Sequence, residues 1–189
     1  TISVYGEQKN IYQYDESSYL DSFSPYAVTK LKAEKFLLDN FLSISWILRF
    51  APVYSSNFHL NIKRRTKIFN MFYKVGHGKR KLSLCNIENI KLAIQGIIQN
   101  NVPSGIYNIS DSNEYTYYDL LKWQNAAVVF PIPTFIIHQF YHIFQLPSKS
   151  NEYHFEMRKT GSNSKIYLVT TDLERKMFLS NFDDYIEVK

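Results

Sequence analysis

Ser24-Pro25-Tyr26-Ala27-Val28-Thr29-Lys30, with Ala33-Glu34 one turn later, reads as the opening of a helix. Ser24 has the chemistry of an N-cap, and Pro25 that of a first helical residue. The spacing predicts a helix from Pro25 to about Phe41. Ala27, Leu31, Ala33, Leu37, Leu38 and Phe41 are expected to face a core, and Lys32, Lys35 and Asp39 to face solvent. Residues 43–50 follow, apolar on both faces through Ile44, Trp46, Ile47 and Leu48, as strands of parallel sheets are. Upstream, residues 1–6 read as the end of another parallel strand, and 7–23 as a polar, tyrosine-rich loop. Strand, crossover helix and strand make a βαβ unit, which implies an α/β fold with a doubly wound sheet.

Tyr26 and Lys30 are four apart, so they share a helical face, and Ala33 on that face is small enough to let a ligand approach. An adjacent cation favours the phenolate, drawing a phenol whose unperturbed pKa is about 10 toward proton exchange with a substrate hydroxyl. By itself such a pair is common on solvated helices. Its neighbours give it meaning.

Thr1, Val4-Tyr5-Gly6, Tyr26, Lys30 and Glu34, in this order and at these separations, resemble the extended short-chain dehydrogenase/reductases. The branch they resemble is that of the NAD-dependent epimerase/dehydratase enzymes of nucleotide-sugar metabolism. Three later segments are similar to that family's pattern: Trp46-Ile47-Leu48-Arg49-Phe50-Ala51-Pro52-Val53-Tyr54, the run from Gly78 to Ile90, and Ser104-Gly105-Ile106-Tyr107-Asn108-Ile109-Ser110 with Thr116 opening the next helix. Ser55 replaces a usual Gly, and Asn89 a usual Asp. Pro52 stands where many members carry an Asn that touches the sugar nucleotide.

The resemblance implies a Rossmann-like fold, the C-terminal part of a doubly wound parallel sheet plus a small, mostly helical substrate lobe. Residues 1–54 would be the second half of a dinucleotide-binding domain. Residues 55–189 would be mainly the substrate lobe, with 82–110 returning strands and a helix to the sheet. It also implies NAD or NADP as cofactor and a nucleotide-diphosphate sugar as substrate. Thr1, Tyr26 and Lys30 would be catalytic. Tyr26, Lys30, Pro52 and Val53 would line the cofactor, and Thr1 and Arg80 would contact the substrate. Helices including the one that bears the Tyr-Lys pair often form the family's homodimer.

The family's Gly-x-x-Gly-x-x-Gly turn, whose amides hold the cofactor pyrophosphate, does not occur in this sequence. Gly76-His77-Gly78 is the densest glycine run, and a basic, strand-like stretch follows it rather than a helix. The expectation is therefore the second part of a longer enzyme, lacking on the order of a hundred residues and inactive alone unless another chain supplies them. The alternatives are a catalytically silent remnant and a scaffold that binds anionic ligands.

The composition, 189 residues with 45% hydrophobic and 16% aromatic, suffices for one substantial core. A net charge of +5 suits a diphosphate ligand and does not call for nucleic acid. Cys85 is the sole cysteine, which excludes a disulfide framework and fits a reducing, cytoplasmic setting. No metal site is expected, since His138 and His142 share a helical spacing without a carboxylate or thiol nearby. Residues 126–146 are the most apolar stretch, but Pro131, Pro133, Gln139 and Gln145 interrupt it, so it is read against a membrane span.

Further expectations are a helix over 62–75 with Ile68, Met71, Phe72 and Val75 inward and Lys63, Arg64, Arg65 and Lys67 as a basic edge. An amphipathic helix over 87–99 and a strand over 106–109 follow. A polar loop over 149–164, a strand over 165–170 and a last helix from Leu173 to about Leu179 end the chain.

Overall fold

A computed structural model describes residues 1–6, 13–22, 24–68, 70–79 and 81–133, and the backbone of three later strands. Its centre is a parallel pair, β2 (Trp46–Phe50) with β7 (Gly105–Ile109), in the register Arg49 opposite Asn108. Side chains alternate between the faces of a strand, and the two faces have different partners. Trp46, Leu48, Phe50, Tyr107 and Ile109 pack with Ala93, Ile90 and Ile97 of helix α3 (Ile87–Ile98). Arg49 and Asn108 point the other way, toward a 3-10 turn (Ile2–Tyr5) and helix α1 (Pro25–Phe41). The sheet is thus covered on both sides, as a parallel pair requires.

Helix α1 has the expected bounds. Ser24 Oγ accepts from the Ala27 amide at 3.1 Å, and Pro25 occupies the first turn. Its inward face differs from the expected one: Ala27 and Glu34 are buried, Leu31 and Leu38 half-buried, and Ala33, Leu37 and Phe41 exposed. The stripe 27-31-34-38 has helical spacing, and the ion pair of Glu34 with Arg49 sets its phase. Residues 1–6 are likewise corrected. Instead of a strand they form the 3-10 turn, capped by the Thr1 side chain, with Ile2, Val4 and Tyr5 buried.

Gly6 closes that turn at φ 63°. A Cβ there would fall 1.8 Å from the carbonyl oxygen of Asp21, a backbone atom that cannot swing aside. Gly6→Ala is therefore expected to lower stability by at least about 2 kcal/mol. Chemical denaturation checks this, and a change near zero would contradict it.

Downstream of β2 come β3 (Val53–Tyr54), which pairs in parallel with β6 (Cys85–Asn86), and helix α2 (Leu60–Thr66). The expected helix over 62–75 ends at Thr66. Beyond it, β4 (Lys67–Ile68) and β5 (Met71–Val75) form an antiparallel hairpin in which Asn70 takes φ 66°. The β-favouring run Phe72-Tyr73 and an asparagine tolerant of the left-handed region outweigh the apolar spacing. Strand β8 (Val129–Ile132) lies parallel to β5. Helix α4 (Tyr117–Trp123) begins with a capping box of Thr116 and Asp119.

The later strands are β9 (His154–Arg158), antiparallel to β10 (Lys165–Val169), and β11 (Met177–Phe178), parallel to β1 (Gln13–Tyr14). The polar loop expected over 149–164 thus contains a strand, and the last helix is corrected at Met177–Phe178. There pairing with β1 satisfies the backbone of an extended segment. His138 and His142 lie outside the described residues. No helix among those described is long and apolar enough to cross a membrane.

Candidate active site

The first two turns of α1 carry Tyr26 and Lys30 on an exposed stripe, one residue out of phase with the buried one. The Lys30 ammonium lies 5.7 Å from the centre of the Tyr26 ring. Ala33 continues the stripe and is open to solvent, as the approach of a ligand requires. Thr1 is half-buried at the start of the 3-10 turn that packs on α1. Its hydroxyl donates to Ser3 Oγ at 3.3 Å and accepts from the Ser3 amide at 3.4 Å, long contacts that leave it ready to re-form with another partner.

Behind this stripe is a buried polar network that sequence reasoning did not assign. Glu34 Oε2 accepts from Arg49 Nε at 3.1 Å and from Nη2 at 2.8 Å. Arg49 Nη1 donates to the Tyr5 hydroxyl at 3.0 Å, and that hydroxyl donates to Asn108 Oδ1 at 2.6 Å. The Asn108 amide in turn donates to Glu16 Oε1 at 2.7 Å. Burial opposes the charge on Arg49, but the bonds to Glu34 and the neighbouring Tyr5 hold its pKa above the ordinary value. Burial also raises the Tyr5 phenol, which remains a neutral donor between its two partners. A charged residue in the middle of an apolar strand was the available signal, since a buried guanidinium demands a carboxylate.

The network also fixes levels. Helix α1 ends at Phe41, a 3-10 turn over Leu42–Ile44 reverses the chain, and β2 runs back. With Glu34 level with Arg49, Tyr26 stands about 12 Å further along the helix, and Pro52 and Val53 about 10–13 Å further along the extended chain. The phenol and the loop after β2 thus reach the same edge of the sheet, the carboxyl end, where ligands of α/β folds bind. Pro52 and Val53 are half-buried. Their carbonyls accept from the Cys85 amide at 3.1 Å and from Asn61 Nδ2 at 2.7 Å respectively, which fixes the loop. Arg80 lies outside the described residues.

A second cluster closes the same edge. Asp111, just past β7, accepts four bonds: from the Asn86 amide (2.6 Å), Asn89 Nδ2 (2.7 Å), and the hydroxyls of Tyr54 and Tyr115 (both 2.8 Å). Asn89 is thus the donor to a carboxylate supplied from just beyond β7. Burial, together with Asp111, pushes the Cys85 thiol up to about 12, so it is an inert core thiol. Burial, then the bonds to Tyr54 and Asp111, raise the Tyr115 phenol well above its ordinary value of 10.0.

A phenol whose pKa is higher in the folded than in the unfolded state stabilises the fold fully below the unfolded value. That stabilisation is lost as the pH climbs through the folded one. Stability should therefore fall as the pH rises above 10, and less steeply in Tyr115→Phe than in the parent. Equal slopes in alkaline denaturation would contradict this.

No family model matches the sequence, and no curated protein matches it. Solved structures do. UDP-glucuronic acid 4-epimerase from Bacillus cereus, in complex with NAD, superposes with a TM-score of 0.53 at 21% identity, over 69% of this chain and 47% of that one. For dTDP-glucose 4,6-dehydratase from Bacillus anthracis, also in complex with NAD, the values are 0.52, 16%, 70% and 47%. For ADP-L-glycero-D-manno-heptose-6-epimerase from Helicobacter pylori they are 0.54, 18%, 71% and 46%. The likeness is one of fold, a mixed α/β arrangement with parallel strands. The chain spans about half the length of each of these structures.

Proposed function

We propose that this chain carries the acid/base part of an NAD- or NADP-dependent epimerase or dehydratase acting on a nucleotide-diphosphate sugar. The observation that carries the reading is the Tyr26–Lys30 pair on an exposed helical stripe, at the carboxyl edge of a parallel pair in a fold shared with such enzymes. Tyr26 takes the proton of a sugar hydroxyl or returns it. Thr1 hydrogen-bonds the same oxygen. Lys30 stabilises the phenolate and donates to a ribose hydroxyl, while Pro52 and Val53 pack against the nicotinamide.

The donor set fits such a cofactor at this end. An exposed phenol and an ammonium that pairs with no carboxylate among the described residues stand beside a small alanine. When bound, the cofactor accepts and returns the hydride. The pyrophosphate is not accounted for by the described residues, since no helix follows the turn at Gly76 and Gly78. Arg80 and its basic neighbours are the groups proposed to meet the substrate diphosphate. Residues 1–54 form the cofactor part and 55–189 mainly the substrate lobe.

A specific observation favours a second reading, in which the chain works only when complemented. Phe36, Leu37, Phe41, Leu42 and Ile44 are exposed along α1 and the turn after it, and β2 pairs on one side only among the described residues. A second copy, or a polypeptide supplying further α/β units, would cover them. The test of the main reading is the conversion of UDP-glucuronic acid or another nucleotide sugar in the presence of NAD, by the native protein and by its Tyr26→Phe variant. The native mass, measured alongside, shows whether a partner is bound.

A further inference from the structure

Lys30 and Glu34 are four residues apart on α1, the spacing at which an ammonium and a carboxylate ordinarily pair on a helix. Here they do not. Among the described residues Lys30 has no carboxylate within ion-pair distance, and its ammonium contacts the Tyr26 ring. Glu34 is turned to the sheet, where one oxygen takes both Nε and Nη2 of Arg49. The Arg49 side chain is 1% exposed, so its guanidinium has no water to turn to. A desolvated, doubly bonded guanidinium holds a carboxylate far more firmly than an exposed ammonium does.

We propose that Arg49 is a positioning residue for the Tyr26–Lys30 site. By holding Glu34 against β2 it prevents the Lys30–Glu34 pair that the helical spacing would otherwise form, and leaves the Lys30 ammonium to Tyr26 and a bound ligand. The role rests on the reading of Tyr26 and Lys30 given above, but its test needs no ligand, so failure of one is distinguishable from failure of the other. The groups that face the Glu34–Arg49 pair are Lys30 on the same helix, Thr1 and Tyr5 from the 3-10 turn, and, beyond Tyr5, Asn108 on β7 with Glu16 bonded to its amide.

The experiment is trace acylation of the native protein with acetic anhydride at fixed pH, read lysine by lysine by mass spectrometry. In Arg49→Met, Glu34 is released and Lys30 should react more slowly by about two- to five-fold, the factor an exposed ion pair corresponds to. Lys122, which lies on α4, should keep its rate. In the double variant Glu34→Gln/Arg49→Met no carboxylate is released, and Lys30 should return to the parent rate. A loss of packing alone would not be rescued in this way. An unchanged Lys30 rate in folded Arg49→Met overturns the proposal. So does a Lys30 rate in the double variant as slow as in the single one. If Arg49→Met loses its fold, Arg49→Gln, which removes the charge but keeps a polar amide in its place, is measured instead, with the same slowing of Lys30 expected and an unchanged Lys30 rate overturning the proposal.

Discussion

Tyr26→Phe should lower the turnover of a nucleotide sugar by the native protein at least about a hundredfold, with KM changed little. The ring remains, so its packing and its contact with Lys30 remain. Only the hydroxyl that carries the proton is lost. Because Tyr26 is 57% exposed and its hydroxyl makes no hydrogen bond among the described residues, the fold should not notice the change. A loss of turnover at unchanged melting temperature is the signature of an acid/base group. Turnover within a factor of about three of the parent would remove Tyr26 from the mechanism.

The largest expected effect on stability is that of Arg49→Ala, about 3–5 kcal/mol. The guanidinium binds Glu34 twice, donates to the Tyr5 hydroxyl and lies 4.9 Å from the centre of the Tyr5 ring. Its removal leaves a carboxylate buried without its counter-ion and a cavity between α1 and β2. Urea denaturation should show a lower midpoint with an unchanged slope. A shift below about 1 kcal/mol would mean that water reaches Glu34 and that the network is not what holds α1 to the sheet.

How much of this could be read from residues alone depended on the range of the forces involved. Helix α1 was legible to its ends because Ser24 and Pro25 are local signals. The same holds for α3 and for the capping box at Thr116. The inward face of α1 was misassigned because hydrophobicity alone chose Ala33, Leu37 and Phe41. The phase is set by Glu34, whose partner lies fifteen residues away on another element. The helix over 62–75 failed for a similar reason. Its apolar spacing is real, but pairing of β5 with β8, fifty-seven residues on in sequence, fixes Phe72 opposite Val129.

The site followed the same rule. Tyr26 and Lys30 are neighbours by helical spacing, and the structure brings them together. In the proposed site Thr1 would join them through the packing of the 3-10 turn on α1, and Pro52 and Val53 through the length of β2, neither of which is a local property. Asp111 could not have been singled out, since its four donors come from three stretches of chain, at Tyr54, at Asn86 with Asn89, and at Tyr115.

The central claim is that the exposed stripe of α1 holds a nicotinamide cofactor. It is tested most directly by the melting temperature of the native protein, isolated with any partner attached, with and without NAD. The account predicts a rise that grows with NAD concentration as mass action requires, and a smaller rise in Lys30→Met at the same concentration. No rise in the parent, or an equal rise in both proteins, would contradict it.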